Sequence, residues 1–226
     1  MTATAIVPAY NEEGSVGPTV RALLNSGAVE RVVVIDDGSV DGTSVEARRE
    51  GAEVIALGRN SGKGVALNEG LGAVEAAIYL LADADLKESA GRLAALVDAV
   101  RRDGADLAIA QFDTTGGFGV AKKIARYGIR HLTRRDMKSP LSGQRALSKR
   151  ALDAVMPFPH GWGVEVAMTV RALWNGLSVV EVPVALEHRV TGRDVAGFMH
   201  RGRQCAAVAL TLWRLNSRKE RRRARG

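Results

Sequence analysis

The stretch Ala76-Ala77-Ile78-Tyr79-Leu80-Leu81-Ala82 is followed at once by Asp83-Ala84-Asp85. The apolar run predicts a buried β-strand, and side chains at positions i and i+2 of an extended segment share a face. Both carboxylates would therefore leave the carboxyl end of that strand together. Two anions so close need a positive partner, and their oxygen atoms suit a hard divalent cation such as Mg²⁺ or Mn²⁺. From the spacing alone, a pair of solvated loop carboxylates explains the stretch equally well.

The chain around this stretch alternates strands and helices, a pattern that predicts an α/β fold with a mostly parallel central sheet flanked by helices. Predicted strands cover residues 4–7, 31–35, 53–56, 76–82, 106–110 and 178–187, and predicted helices cover residues 15–25, 61–75, 89–102, 164–174 and 195–215. The chain contains no internal repeat and no low-complexity linker. We therefore expect one continuous domain over residues 1–215, ending in an amphipathic helix over 195–215.

Composition narrows the function classes. The 226 residues are 46% hydrophobic, enough for a substantial core, yet no apolar run approaches the ~20 residues that cross a bilayer. No basic-then-apolar secretory signal opens the sequence. Cys205 is the only cysteine, which excludes an internal disulfide and fits a reducing cytoplasm. We expect a cytoplasmic protein.

The net charge of +7 is concentrated at the carboxyl end, in a basic tail over residues 216–226. The preceding segment, 195–215, interleaves apolar side chains with Arg201, Arg203 and Arg214. An apolar helix face running into a polybasic end favours peripheral contact with an anionic membrane surface. A helix packed on the domain with a frayed tail explains the pattern equally well. No recognised nucleic-acid motif is present and aromatic residues are only 4% of the chain, so we expect no nucleic-acid partner.

Polar residues follow four of the predicted strands. They are Tyr10-Asn11-Glu12, Asp36-Asp37, the segment 59–63, and Asp83 with Asp85. In an open parallel sheet the loops at the carboxyl ends of the strands converge on one crevice, where ligands bind. Gly62-Lys63-Gly64 at a predicted helix start offers backbone N–H groups and a point charge to an anion. Neither a Gly-x-Gly-x-x-Gly nor a Walker A sequence occurs. The combination indicates a phosphorylated, nucleotide-linked ligand.

These motifs, together with Val7-Pro8-Ala9-Tyr10-Asn11-Glu12-Glu13, resemble those of family 2 glycosyltransferases with the GT-A fold. The segment 142–150, Ser-Gly-Gln-Arg-Ala-Leu-Ser-Lys-Arg, is similar to one in dolichyl-phosphate mannose synthases and their bacterial polyprenyl-phosphate relatives. Gln144 departs from that pattern, in which an aromatic residue is common. The resemblance implies a nucleotide-sugar-binding half over 1–110 and an acceptor-binding half over 111–194.

The resemblance also implies roles for single residues on the donor side. The nucleoside would be held by residues of the first two loops, with one of the two aspartates accepting from a base N–H: Pro8, Ala9, Tyr10, Glu12, Asp36 and Asp37. Lys63 would meet the diphosphate. Asp83 and Ala84 would also contact the nucleotide sugar. Asp83 and Asp85 would position a Mg²⁺ or Mn²⁺ ion, and we expect Asp85 to be essential for catalysis. The donor would be a UDP- or GDP-linked hexose, and family 2 enzymes typically invert the anomeric configuration.

The acceptor side is less specific. Glu165 is the candidate general base for a hydroxyl acceptor, or else an acid that caps the helix it begins. His188 is a candidate third metal ligand, or else a surface residue. An anionic acceptor would be bound by a set of polar and basic residues: Lys138, Ser142, Arg145, Arg189 and Arg193. We expect polyprenyl phosphate as the acceptor, with 3-phosphoglycerate as the alternative.

Two other classes stay open at this point. A nucleotidyltransferase also joins metal-binding carboxylates to an α/β nucleotide site, although this chain has no early Gly-rich basic loop after the first strand. An inactive sugar-nucleotide-binding protein would share the fold, although Lys63, Asp83 and Asp85 are intact. Beyond the nucleotide sugar and the anionic acceptor, the partners we consider are the inner face of the cell membrane and a second copy of the chain.

Overall fold

The computed structural model describes residues 2–111, 119–159, 163–186 and 195–217, with side chains from residue 205 onward in the last range. The strands are β1 Ala3–Ala9, β2 Arg31–Asp36, β3 Glu53–Ala56, β4 Ile78–Leu81, β5 Leu107–Gln111, β6 Arg145–Ser148 and β7 Val179–Pro183. The helices are α1 Val16–Asn25, α2 Thr43–Arg49, α3 Lys63–Ala73, α4 Ala94–Arg101, α5 Gly119–Thr133, α6 Lys149–Val155, α7 Val164–Trp174 and α8 Val195–Asn216, and a 3₁₀ helix covers Lys87–Leu93.

These strands form one sheet in the order β3-β2-β1-β4-β6-β5-β7. All neighbouring pairs are parallel except those of β6, which runs antiparallel to both β4 and β5. Helices cover both faces, so the central strands are apolar on both sides, as in β2 with its run from Val32 to Ile35. The mostly parallel sheet flanked by helices confirms the predicted fold class.

Two hydrophobic layers sandwich the sheet. One contains residues of α3, α5, α6, α7 and α8, including Leu67, Ile129 and Val208. The other contains residues of α1, α2, the 3₁₀ helix and α4, including Val20 and Leu96. Among the helices that the structure describes, none combines the length and the apolarity needed to cross a membrane.

The boundaries of several elements differ from the predictions. Helix α3 begins at Lys63 and not at 61, because Gly62 has a φ of 90°, which is incompatible with a right-handed helix. The predicted helix 89–102 is a 3₁₀ helix that continues as α4. Strand β7 ends at Pro183, short of the predicted residue 187, which lies outside the described residues.

Strand β6 and helix α6 were not predicted. β6 is short and opens with Arg145. No turn separates it from α6, because its last residue, Ser148, is also the N-cap of α6, and the Ser148 hydroxyl accepts from the Ala151 N–H at 3.1 Å. The sequence of β6 does not stand out as an apolar run, because the strand has only four residues and the first of them is charged. The domain boundaries proposed from the sequence, including the tail over 216–226, remain predictions.

Candidate active site

The carboxyl ends of β1, β2, β3 and β4 lie together at one edge of the sheet. The register brings Ala9 opposite Asp36, Asp36 opposite Ala56, and Ile6 opposite Leu81. The four polar segments predicted to converge therefore leave adjacent strands on the same side. This edge of the sheet, with the loops that leave it, is called the rim below.

At the rim, Lys63 joins two acidic side chains. Its Nζ atom lies 2.7 Å from Oδ1 of Asp83 and 3.4 Å from Oε1 of Glu165. Removal from bulk water would by itself lower the pKa of Lys63, but the attraction of Asp83 and Glu165 outweighs it and raises the pKa above its ordinary value. Lys63 is therefore a permanent cation at neutral pH.

Glu165 reaches this cluster from the first turn of α7 and is only 13% exposed. The loop before α7 is fixed to α3 by Asn68, whose amide donates to the Phe158 carbonyl at 3.1 Å and accepts from the Phe158 N–H at 2.8 Å. Gly64 strengthens this junction, since a Cβ there would lie 2.4 Å from the Pro159 carbonyl oxygen. The close helix–loop packing places Glu165 beside Lys63.

The loop before β6 closes the other side of the cluster. Gln144 Nε2 donates to Oδ2 of Asp83 at 2.6 Å, so both oxygens of Asp83 are engaged. Gly143 passes so near that a Cβ on it would lie 2.7 Å from Lys63 Nζ. Gln144 is fully buried, and its Oε1 has no hydrogen-bond partner among the described residues.

Arg145 is fully buried beneath the same loop. Its guanidinium donates to the carbonyls of Ser142 at 2.8 Å and Pro140 at 3.3 Å, and to the Thr169 hydroxyl at 2.9 Å. Burial lowers the pKa of Arg145 to about 10, while Glu165 and Glu181 act to raise it, and the group stays charged at neutral pH. In this structure the three hydrogen bonds of the fully buried guanidinium all go to protein groups, so Arg145 supports the loop before β6, while its contact with an acceptor stays a prediction.

The two aspartates after β2 organise neighbouring loops. Asp37 accepts from the backbone N–H groups of Ser61 at 2.8 Å and Gly62 at 2.7 Å, which ties β2 to the start of α3. Asp36 accepts from the Ser39 N–H at 2.8 Å and from the Ser44 hydroxyl. A base N–H would thus be an additional bond to a carboxylate that already has protein partners.

The first predicted loop lies against α2. The Glu12 N–H donates to the Thr43 hydroxyl at 2.8 Å, while Pro8 is half-buried and Tyr10 is exposed. Ala9 and Ala84 are buried, and the Ala84 carbonyl accepts from Thr19. Of this group, Tyr10 alone is exposed enough to stack on a ligand.

The family to which this chain belongs follows from its match to a model of known proteins. The model of the family "Glycosyl transferase family 2" matches residues 4–163, which include the rim loops. The chain belongs to this family.

Similar proteins extend the match beyond those residues. A glycosyltransferase of Haloferax volcanii is 28% identical over 84% of this chain and 64% of its own length. An undecaprenyl-phosphate mannosyltransferase of Micrococcus luteus is 31% identical over 100% of this chain and 99% of its own length. The crystal structure of glucosyl-3-phosphoglycerate synthase from Mycobacterium tuberculosis with Mn²⁺, UDP and glucosyl-3-phosphoglycerate is 26% identical, with a TM-score of 0.78 over 93% of this chain and 79% of that one. The chain spans less than two thirds of the Haloferax protein.

The donor set at the rim of this family 2 glycosyltransferase fits a hard divalent cation. Asp83 and Asp85 follow β4 with one residue between them, and both are half-buried. Asp83 is held by a cation and an amide donor, so its carboxylate charge is stabilised where a metal would need it. Within the described residues no group of three or more His, Cys, Asp or Glu side chains is assembled for a metal.

The structure describes only some of the residues that were predicted to bind the acceptor. His188, Arg189 and Arg193 lie outside the described residues. Lys138 is exposed, and its backbone N–H and that of Ser139 donate to Glu181 at 2.9 and 2.6 Å. Ser142 is buried and its hydroxyl lies 3.4 Å from the Gln144 carbonyl.

The sequence did not reveal two residues that position other groups of the site, Gln144 and Asn68. Gln144 was noted only as a departure from the family pattern, yet it holds Asp83. Asn68 gave no signal, since a polar residue in a helix suggests an exposed face, and only the tertiary contact with Phe158 reveals its function.

Proposed function

We propose that this chain is a metal-dependent, inverting glycosyltransferase that moves a hexose from a UDP- or GDP-linked donor to polyprenyl phosphate. The observation that carries the proposal is the cluster of Lys63, Asp83 and Glu165 at the rim of a family 2 fold. It combines a permanent cation with two carboxylates where the diphosphate of a nucleotide sugar would lie.

On the donor side, the chain's own residues prepare a site for the diphosphate. Asp37 fixes the backbone of Ser61 and Gly62, and so sets the start of α3, whose N-terminus favours negative charge. Lys63 would exchange part of its pairing with Asp83 for a phosphate oxygen. Tyr10 would cover the nucleoside from the solvent side.

Asp83 and Asp85 would hold Mg²⁺ or Mn²⁺. When bound, such an ion neutralises the charge that builds on the departing nucleoside diphosphate. The Mycobacterium tuberculosis structure with Mn²⁺ and UDP, and another with Mg²⁺ and UDP, support this choice of metals. Gln144 would keep Asp83 oriented through the reaction.

In the transfer step, the bond between the anomeric carbon and the donor phosphate oxygen breaks, and its electron pair leaves with the nucleoside diphosphate. A phosphate oxygen of the acceptor forms the new bond from the opposite face of the sugar, which inverts the anomeric configuration. Because that oxygen is already anionic, no proton has to be removed, and Glu165 would serve to neutralise Lys63. The end-to-end match with the undecaprenyl-phosphate mannosyltransferase of Micrococcus luteus supports this acceptor.

A second acceptor, 3-phosphoglycerate, is favoured by a separate observation. The Mycobacterium tuberculosis synthase that resembles this chain over 93% of its length was solved with glucosyl-3-phosphoglycerate. Here the nucleophile would be a hydroxyl, whose proton must pass to a base, and Glu165 supplies a carboxylate 3.4 Å from Lys63 in the same cluster. The site would then use Glu165 as a general base.

A partition assay tests the proposal. The full chain is incubated with Mn²⁺ and a panel of radiolabelled UDP- and GDP-hexoses, with either a short-chain polyprenyl phosphate or 3-phosphoglycerate. We expect label in the butanol phase with the lipid phosphate, and NMR of the product should show inversion. Label confined to the aqueous phase with phosphoglycerate would identify phosphoglycerate as the acceptor, and release of hexose 1-phosphate in place of the nucleoside diphosphate would indicate a nucleotidyltransferase.

The same proposal concerns location and assembly. An enzyme that acts on a lipid phosphate works at a membrane surface, so we propose a cytoplasmic protein that visits the inner face of the membrane. A homodimer is the other assembly that the sequence left open, and size-exclusion chromatography with light scattering measures it directly.

A further inference from the structure

Helices α5 and α8 pack side by side at a close seam. A Cβ added to Gly128 of α5 would lie 2.3 Å from Cδ1 of Leu212 of α8, so a larger residue there would displace the Leu212 side chain. The inward faces of the two helices are apolar and buried, with Ala125 and Ile129 on α5 and Val208 on α8. The outward faces are therefore presented together, as one continuous surface.

Large aromatic side chains stand on that outward surface. Tyr127 is 75% exposed and Trp213 is 71% exposed. Each lies one position from a seam residue, Gly128 or Leu212, and is thus rotated by about 100° around its helix axis, away from the buried positions. The Tyr127 ring is stacked on His131, with ring centroids 6.3 Å apart. Val120 and Leu210 add further exposed apolar area on the same two helices.

The charge of this surface has a single sign. Residues 119–135 contain six Lys or Arg and no Asp or Glu, and residues 195–217 contain three Arg and no acidic residue. Lys123, Arg130 and Arg134 are exposed, while Arg126 is neutralised by Asp136 at 2.6 Å. In the sequence α8 is followed by residues 218–226, of which six are Lys or Arg.

We propose that this surface, the outward side of α5 and α8 around Tyr127 and Trp213, docks on an anionic lipid bilayer. The inference deepens the proposed function, on which it rests, by naming the face that meets the membrane. Trp and Tyr favour the membrane–water interface, and cations next to them bind anionic headgroups. A second copy of the chain would set two predominantly cationic faces against each other, so charge favours lipid over a dimer on this face.

The docking surface is connected to the active site through α7. A Cβ on Gly163, the N-cap of α7, would lie 1.9 Å from the Thr211 hydroxyl of α8. Glu165 follows two residues later and faces Lys63. Because Thr211 is buried, helix α8 lies between the docking surface on its outward side and the turn of α7 that carries Glu165.

Flotation of the full chain with vesicles tests the inference. We expect binding to phosphatidylglycerol vesicles, little binding to phosphatidylcholine vesicles, and at least a tenfold weaker binding for the double variant Tyr127→Ser/Trp213→Ser. The matched control is Val45→Ser on α2, which removes an equally exposed (71%) apolar side chain outside this surface and should bind as the wild type. Circular dichroism verifies that the variants fold.

Two results would overturn the inference: no binding of the wild type to anionic vesicles, or equal binding of the wild type and the double variant. A double variant that loses a dimer in light scattering, with vesicle binding unchanged, would identify a second copy as the occupant instead. Transfer to a detergent-solubilised polyprenyl phosphate should be unchanged in the double variant. Vesicle binding without any transfer to lipid phosphate would refute the proposed function and leave the docking surface standing.

Discussion

The two sides of the rim are built differently. On the proposed donor side, Asp36 ends a parallel strand and Asp37 follows it, and both accept hydrogen bonds from backbone N–H groups of nearby loops. On the proposed acceptor side, the antiparallel strand β6 begins with a buried arginine, and the loop before it packs Gly143 and Gln144 against Lys63 and Asp83. The donor side is organised by hydrogen bonds between loops, and the acceptor side by burial and close approach. Substitutions should therefore impair the two sides in different ways.

The largest effect is expected where the two sides meet. Asp85→Asn removes a ligand charge from the rim and should lower kcat/KM by about 10²–10³-fold, the range typical of lost electrostatic stabilisation of a transition state. Because Asp85 is half-buried at the end of β4, the melting temperature should change little. Steady-state transfer with Mn²⁺ measures the first quantity and calorimetry the second. Asp98→Asn on α4, a half-buried acid paired with Arg102, is the control. Near-wild-type turnover of Asp85→Asn would refute its assigned role.

On the acceptor side, Gly143→Ala would place a methyl group 2.7 Å from Lys63 Nζ and 3.1 Å from Asp83 Oδ2. The pair must separate or the loop must move, so we expect kcat to fall by at least about tenfold with donor binding weakened as well. Gly72→Ala, where a Cβ meets nothing within 4 Å, is the matched control. Unchanged kinetics of Gly143→Ala would show that the loop is not close to the site in the working enzyme.

Arg145→Met should act through the loop and the fold. Three buried acceptors lose their donor, so the free energy of unfolding should fall by about 2–3 kcal/mol. Urea denaturation measures the change. If Arg145→Met were as stable as the wild type and showed only a raised KM for the acceptor, Arg145 would instead be a direct ligand of the acceptor.

On the donor side, the substitution Asp37→Asn keeps the shape of the side chain but replaces one carboxylate oxygen with an NH₂ group. That group cannot accept a hydrogen bond, so one of the two backbone N–H groups that donate to Asp37 loses its acceptor. We expect a KM for the nucleotide sugar about tenfold higher, with kcat nearly unchanged, because one anchor of the α3 loop is lost. Initial-rate kinetics separate the two parameters. A fall in kcat alone would place Asp37 in the chemical step.

The pH dependence should show no contribution from Lys63 in the neutral range. Its pKa is raised by Asp83 and Glu165, so the stabilisation from this pairing is fully present below the unfolded-state value of 10.5 and is lost only as the pH rises through the higher folded-state value. We expect no basic limb from Lys63 in kcat/KM between pH 7 and 9. A basic limb in this range that disappears in Lys63→Met would contradict the assignment.

The same contrast explains what the sequence could predict. Two sequence patterns predicted parallel strands whose polar ends converge: the apolar run before Asp83 and Asp85, and the β-branched run that ends at Asp36. The structure confirms that these strand ends converge. Gln144 and Asn68 could not be predicted, because their partners lie 61 and 90 residues away in the chain. Arg145 was predicted to bind the acceptor as part of the segment 142–150, and its complete burial could not be predicted, because a charged side chain is seldom fully buried. Local patterns reveal strand ends, whereas long-range contacts decide which polar residues face a ligand.

Binding of Mn²⁺ with UDP or GDP, followed by electron paramagnetic resonance, tests most directly whether the rim is a metal–diphosphate site. We expect the free Mn²⁺ signal to fall when the nucleotide diphosphate is added to the wild type and to Asp98→Asn, and to remain with Asp85→Asn. Equal loss of the signal in all three proteins would contradict the central role of Asp83 and Asp85.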